Sequence, residues 1–414
     1  MTTEAPLAGI RVVESTSIYS GPFAGLMLGE LGAEVIKVES VAKPDLVRNR
    51  TGDQPLGVSP AFYSLNRGKR FVSVDASMPA GREVFVRLAA SADVYVHNMR
   101  PGKENAIGAS YEELSAKNPR LVYVAISGLG SSGVDSRLPV YDYVIQARVG
   151  MVDYQRDDNE KAALLSQVLV DKSAANAAVQ ATLAALLVRE RTGRGQRIDI
   201  SMLGVGLSFG WPDVMSYFLS ELNPQFPYDM LPSYVQRAPS SALMVLRTQD
   251  GEIVVSPALP PFDGLAIAFD RPDWVTDDRF AGASARLFNV PALKAEMVEA
   301  ASKFTTEELL ARLAENDVAA GPVQKRGELH RDPLIASRLT EIEVEHLGTI
   351  RQPMPMWDFG DSHAIATTTM GRVGEHTRAV LGELGLSDID MDALRAAGAI
   401  AWPEPELPPQ PPAS

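Results

Sequence analysis

From Ile10 onward the chain alternates short β-branched runs with longer stretches of helical periodicity. Ile10-Arg11-Val12-Val13-Glu14 predicts a strand. Ser20-Gly21-Pro22 then opens a helix, with Pro22 in its first turn. Gly21, Gly25 and Gly29 recur every four residues, so they share one helix face where another group can approach closely. After Gly32, the run Ala33 to Glu39 predicts a second strand. Strand, helix, strand is a βαβ unit, which calls for a parallel sheet. Strands at Phe71–Asp75, Val94–His97 and Leu121–Ile126, with a helix from Ala80 to Ala90, continue the alternation. The expected fold class is α/β: a Rossmann-like, doubly wound parallel sheet in a large domain, with a smaller α/β domain.

Residues 172–188 are apolar nearly all round, the pattern of a buried helix. Charge and glycine end it at Arg189–Gly195, before a strand at Arg197–Ser201. The large domain is expected over 1–215. Residues 216–240 are Pro-rich and aromatic without steady periodicity, and read as a linker. A small α/β domain over 241–325 has strands at Leu243–Arg247 and Glu252–Ser256 and helices near 292–303 and 306–315. Residues 326–402 return to the large domain. The tail 403–414 is too proline-rich to bury a core and reads as disordered.

Charge narrows the partners. The 414 residues carry a net charge of −13, a surface that repels nucleic acid and anionic membranes. An anionic substrate would need a local basic patch. Cysteine is absent, which removes disulfides, thiolate nucleophiles and Cys-ligated metals. His97, His330, His346, His363 and His376 form no HxH or HxxxH pair, so a metal site has little support. No leader pattern and no apolar run of membrane-spanning length appears. The default is a cytoplasmic enzyme.

The candidate chemistry starts at Asp171, the only acidic residue between Lys161 and Arg189, where a hydrophobic run meets the alanine-rich helix. An aspartate there can cap the helix. It can also act as a nucleophile if water is excluded. Gly128-Leu129-Gly130-Ser131-Ser132-Gly133 follows a strand, but a turn rather than a helix follows it, so it reads as a loop near a site instead of a dinucleotide fingerprint. Basic residues cluster in Asn66-Arg67-Gly68-Lys69-Arg70 and in Asn98-Met99-Arg100-Pro101-Gly102-Lys103. Each can hold phosphates or be solvated loop charge.

Several segments, in order, resemble the family III CoA-transferases of the CaiB/BaiF type. They are Leu7 to Glu14, Ser20-Gly21-Pro22-Phe23-Ala24, Leu31 to Glu39, the two basic clusters, Arg191-Thr192-Gly193-Arg194-Gly195-Gln196, Gly321-Pro322-Val323 and Gly374-Glu375-His376-Thr377. The resemblance implies interlocked homodimers and a catalytic aspartate at Asp171. It implies transfer of CoA from an acyl-CoA donor to a carboxylic acid acceptor, through an aspartyl anhydride and an aspartyl-CoA thioester. CoA is then substrate and carrier, with no other cofactor. It implies CoA contacts at Ser20, the backbone near Val74, Asn98, Met99 and Arg100. Lys103 and Arg137 would substitute for the Arg that many members carry where this chain has Ala106 and the Lys that some carry where it has Pro139. Tyr141 and Asp142 match a segment lining the acyl pocket. Oxyanion donors are sought in 128–133 and at Ser20-Gly21.

Within the family the rival is an α-methylacyl-CoA racemase, which needs an acid/base pair. Such members carry Gly-His-Asp where this chain has Val140-Tyr141-Asp142. A non-catalytic acyl-CoA binding protein is the other alternative. Gln236 to Ser241 replaces the glycine-rich loop of oxalate-using members, which disfavours oxalate. Arg148, seven residues beyond Tyr141, is the candidate for holding a second carboxylate. Phe209, Trp211, Met215, Tyr217, Phe218, Phe226 and Tyr228 are candidates for core, dimer interface or a wall of the acyl pocket.

Overall fold

A computed structural model of the chain describes residues 4–49, 58–133, 135–156, 161–223, 225, 243–257, 261–344 and 348–404. Phe226, Tyr228, the 236–241 segment, His346 and the tail from 405 lie outside them. The chain divides into two compact units, Met1–Gly210 with Arg338–Ser414, and Trp211–Ser337.

In the first unit, beside an antiparallel pair β10 (Leu339–Val344) and β11 (Gly348–Pro353), the strands are β1 (Arg11–Ser15), β2 (Glu34–Glu39), β3 (Arg70–Val74), β4 (Val94–His97), β5 (Val122–Ser127), β6 (Arg197–Ser201) and β12 (Ile400–Ala401). These last seven form one sheet in the order β12-β3-β2-β1-β4-β5-β6. The six long strands run parallel, as their β-branched, buried sequences require. The edge strand β12 pairs antiparallel with β3, Ile400 facing Val74. Helices α1 (Ser20–Glu30) and α8 (Leu169–Thr192) cover one face, with Val12, Val35, Val94 and Val124 beneath. Helix α3 (Pro79–Ala90) and the C-terminal helices cover the other, over Val13, Ile36, Tyr95 and Tyr123. Sheet pleating sends these alternate residues to opposite faces.

The glycine stripe of α1 has a concrete use. A Cβ at Gly25 would lie 1.8 Å from Glu14 Oε2, so only glycine lets α1 settle onto that carboxylate.

In the second unit, β7 (Met244–Arg247), β8 (Glu252–Val255) and β9 (Ala320–Pro322) make an antiparallel sheet. The amphipathic helices Val290–Ala301 and Thr306–Glu315 pack on it around Trp274, Phe280 and Met297. Two expectations change. The linker expected from 216 is helical at its start, because α9 runs unbroken over Met202–Leu222 with Pro212 inside it. Proline removes one backbone donor and Gly204, Gly206 and Gly210 weaken local propensity, which hid this helix from pattern reading. The chain returns to the first unit at Arg338, later than 326.

Candidate active site

The strand order reverses between β1 and β4, and ligands of doubly wound sheets bind at that switch point, beyond the strand C-termini. The loop 16–19 leaves β1 there, and Asn98 to Gly102 leaves β4. Helix α6 (Asp142–Arg148) follows the loop after β5. Asp171 lies among them.

Helix α8 begins at Leu169, three residues earlier than expected, so Asp171 is in the first turn and does not cap it. Val168 holds the cap position and makes no side-chain cap bond. The cap comes from elsewhere in the fold: the Asp171 N–H donates to Asp142 Oδ2 at 2.9 Å. The other Asp142 oxygen accepts from Gln146 Nε2 at 2.5 Å. Gln146 Nε2 also donates to Gln167 O at 3.2 Å, and Gln146 Oε1 accepts from Leu165 N–H at 3.1 Å. Asp142 and Gln146 are buried. They fasten the segment entering α8 and leave the Asp171 carboxylate free of the capping role.

Asp171 is only 8% exposed. Burial raises its pKa from 3.8 to about 6, and the neighbouring Asp142 charge pushes in the same direction. Ser20, the first residue of α1, lines a cavity with Asp171, and its hydroxyl and backbone N–H face the carboxylate and favour the ionised form. At pH 7 ionisation still wins by roughly ten to one. A helix N-terminus favours the anion, but here desolvation outweighs it.

Two cavities meet at Asp171. One, of about 260 Å³, takes in Ser20, Asn98, Met99, Arg100, Gly128 and Tyr141. The other, of about 600 Å³, is mostly apolar, with Leu46, Val47, Tyr143, Leu164, Leu165 and Val168 in its walls. Ile18, Leu46, Tyr141 and Asp171 line both.

The structure therefore gathers Asp171, Ser20, Asn98, Met99, Arg100 and Tyr141. Arg137 stands close by: its guanidinium is 3.5 Å from where a Cβ at Gly102 would be. Lys103 is exposed at the start of the short helix Lys103–Ala106. Among the described residues, Arg100, Lys103 and Arg137 have no ion-pair partner; Arg137 lines neither cavity but a third, of about 590 Å³, with Glu104, Glu112, Arg197 and Asp199. Val74 is buried in the core at the end of β3 and lines neither cavity. Arg148 is exposed in the last turn of α6 and lines neither cavity. Phe209, Trp211, Met215, Tyr217 and Phe218 are exposed along α9 and line neither.

The first basic cluster is structural. Arg67 pairs with Glu30 at 2.6 Å, Lys69 with Glu14 at 2.9 Å, and Arg70 with Glu383 at 2.7 Å. Pattern reading also missed Lys37 and Asp45, a buried pair 3.0 Å apart. The available signal was Glu14 and Lys37 inside strands of otherwise buried sequence, since charges there need partners.

Comparison with known proteins agrees with this geometry. The model of CoA-transferase family III matches residues 7–377. A probable fatty acyl-CoA transferase, Rv3272 of Mycobacterium tuberculosis, is 32% identical over 390 residues, covering 91% of this chain and 97% of the relative. A formyl-CoA:oxalate CoA-transferase of Escherichia coli is 29% identical over 419 residues, covering 95% and 99%. The crystal structure of a CAIB/BAIF family protein from Brucella suis superposes with a TM-score of 0.77 at 30% identity, over 92% of this chain and 100% of that one. The sheet, the cavities at its switch point and these similarities together place the chain in CoA-transferase family III.

Proposed function

We propose that Asp171 is the nucleophile of a CoA transfer from an acyl-CoA to a free carboxylic acid. The observation that carries this reading is its buried carboxylate, faced by the Ser20 donors where the two cavities meet. The carboxylate attacks the thioester carbonyl, and CoA leaves as the thiolate, giving a mixed anhydride. The thiolate attacks the aspartyl carbonyl, releasing the donor acid and forming an aspartyl-CoA thioester. The acceptor carboxylate attacks that thioester, again expelling thiolate. The thiolate then takes the acceptor acyl group and frees Asp171. Each tetrahedral oxyanion needs donors, and Ser20 N–H and Oγ–H are beside the reacting carboxylate. Water would hydrolyse both intermediates, which burial of Asp171 opposes.

Arg100 at the smaller cavity, with Lys103 and Arg137 as further unpaired cations, suits the phosphates of CoA, and the apolar cavity suits the acyl group. The acceptor is then larger and less charged than oxalate. CoA serves as carrier and no other cofactor takes part. The racemase reading lacks its acid/base pair, with Tyr141 where a histidine would stand. The exposed aromatic residues of α9 are suited to an interlocked homodimer interface. We place the enzyme in the cytoplasm, away from nucleic acid and membranes. Among the described residues no helix is long and apolar enough to cross a membrane.

The test is covalent capture. After acyl-CoA is added, hydroxylamine or borohydride should modify Asp171, read by peptide mass spectrometry, and Asp171→Ala should give no adduct. Equal labelling of the variant, or substantial turnover by folded Asp171→Ala, refutes the nucleophile.

A further inference from the structure

The loop joining β1 to α1 is held in an unusual way. Its consecutive backbone groups are bound by side chains. Thr16 C=O accepts from Lys37 Nζ at 2.8 Å. Ser17 N–H donates to Asn98 Oδ1 at 2.9 Å, and Ser17 C=O accepts from Asn98 Nδ2 at 2.7 Å. Ile18 N–H donates to Asp45 Oδ1 at 3.2 Å. Thus Asn98, expected on CoA, uses its amide to clamp this loop, although it also lines the smaller cavity.

Ile18 has φ of +72°. Among the described residues the other non-glycine positions of positive φ are Asp270 and Asp317. Aspartate tolerates the left-handed region, whereas a β-branched residue there is a genuine outlier. Such a conformation persists only where the surroundings over-determine it. They do here. Asp45 Oδ1 also accepts from Val47 N–H at 3.1 Å, and Asp45 N–H donates to Glu39 Oε1 at 3.1 Å. Asp45 Oδ2 is 3.0 Å from the buried Lys37 ammonium, which also lies 3.4 Å from Glu14.

Two residues after Ile18 comes Ser20. Its N–H is one of the free donors of the α1 N-terminus. Donors stabilise an oxyanion only when held closely in place. A relaxed Ile18, with negative φ, would turn the chain differently just before Ser20. We propose that Asp45 is a positioning residue for acyl transfer, holding Ile18 left-handed so that the Ser20 donors face Asp171. This rests on Asp171 being the nucleophile.

The test is a double-mutant cycle between Asp45→Ala and Ile18→Gly. Glycine adopts positive φ without strain, so it removes the need for the clamp. Rates are measured with the best pairing among acetyl-, succinyl- and octanoyl-CoA against formate, succinate and octanoate. Asp45→Ala should lower kcat at least thirtyfold and change KM for acyl-CoA by less than about threefold. Adding Ile18→Gly should recover at least tenfold in kcat. Unchanged kcat in Asp45→Ala, or no recovery on adding Ile18→Gly, overturns the proposal. If Asp45→Ala does not fold alone, the double variant is compared with Ile18→Gly. Matching kcat within about threefold supports the proposal; a tenfold deficit, or a double variant that does not fold, overturns it. Covalent capture on the wild type separates the two readings: no adduct at Asp171 removes the nucleophile, whereas an adduct with an indifferent cycle removes only the role of Asp45.

Discussion

Asp171→Asn should abolish transfer and yet make the protein more stable above pH 6. A carboxyl whose pKa rises from 3.8 to about 6 on folding is held in an environment that disfavours its charge. At about 1.4 kcal/mol per tenfold change in proton affinity, the ionised form costs about 3 kcal/mol. The sign follows from which state lets go of its proton first. Below pH 3.8 both states are protonated and the cost is nil. Between 3.8 and about 6 the unfolded chain ionises first, so wild-type stability is lost as pH rises. Above pH 6 the full cost applies. Asparagine has the same shape and no charge, and its carbonyl can still face the Ser20 donors. It forfeits attraction to the α8 dipole, an effect of under about 1 kcal/mol, so relief of burial wins. Unfolding entropy of about 2 cal/mol/K per residue over 414 residues converts 3 kcal/mol into a rise of about 4 °C in Tm. Differential scanning calorimetry of both proteins from pH 4.5 to 8.5 reads the difference. A variant less stable than wild type at pH 8, or a gain as large at pH 4.5 as at pH 8, refutes the reasoning.

Other substitutions probe the same frame. Asp142→Asn removes the charge that helps raise the Asp171 pKa, so the acid limb of kcat/KM should move below about 6; a limb that stays or rises contradicts the coupling. Arg100→Ala should raise KM for acyl-CoA more than it lowers kcat, and added salt should weaken wild-type binding; an unchanged KM in both Arg100→Ala and Lys103→Ala would show the phosphates lie elsewhere. Arg67→Ala should destabilise by about 3 to 5 kcal/mol at pH 7 in denaturant unfolding, because it strands the buried Glu30 carboxylate. That loss should shrink at pH 4, where Glu30, whose pKa burial already raises, takes up a proton.

What could be read from sequence was what depends on neighbours in the chain. Val12, Val13, Val35 and Ile36 alternate between faces of strands that the β-branched pattern announces, and Gly32 marks the turn between them. Asp171 was visible because it is alone in an apolar stretch. Its relation to the helix was not, since the cap comes from Asp142, 29 residues earlier. Arg67 and Lys69 looked like phosphate ligands because Glu30 and Glu14 lie 37 and 55 positions away. The left-handed Ile18 left no trace in composition: its geometry is set by Asp45, Lys37 and Asn98, brought together only by the sheet.

The short antiparallel strand β12 has a consequence for biosynthesis. Its pairing completes the outer edge of β3, yet it is made from residues 400–401, long after β3 in the sequence. Ribosomes add about 5 to 20 residues per second, so roughly 15 to 65 s separate the emergence of β3 from that of its partner. For that interval the nascent polypeptide presents an open strand edge, the surface on which β-sheet proteins associate wrongly. The second unit, Trp211–Ser337, is translated within this window. Completion of the large sheet therefore waits until the second unit has been made, and a stop codon before Ile400 would leave the edge open permanently.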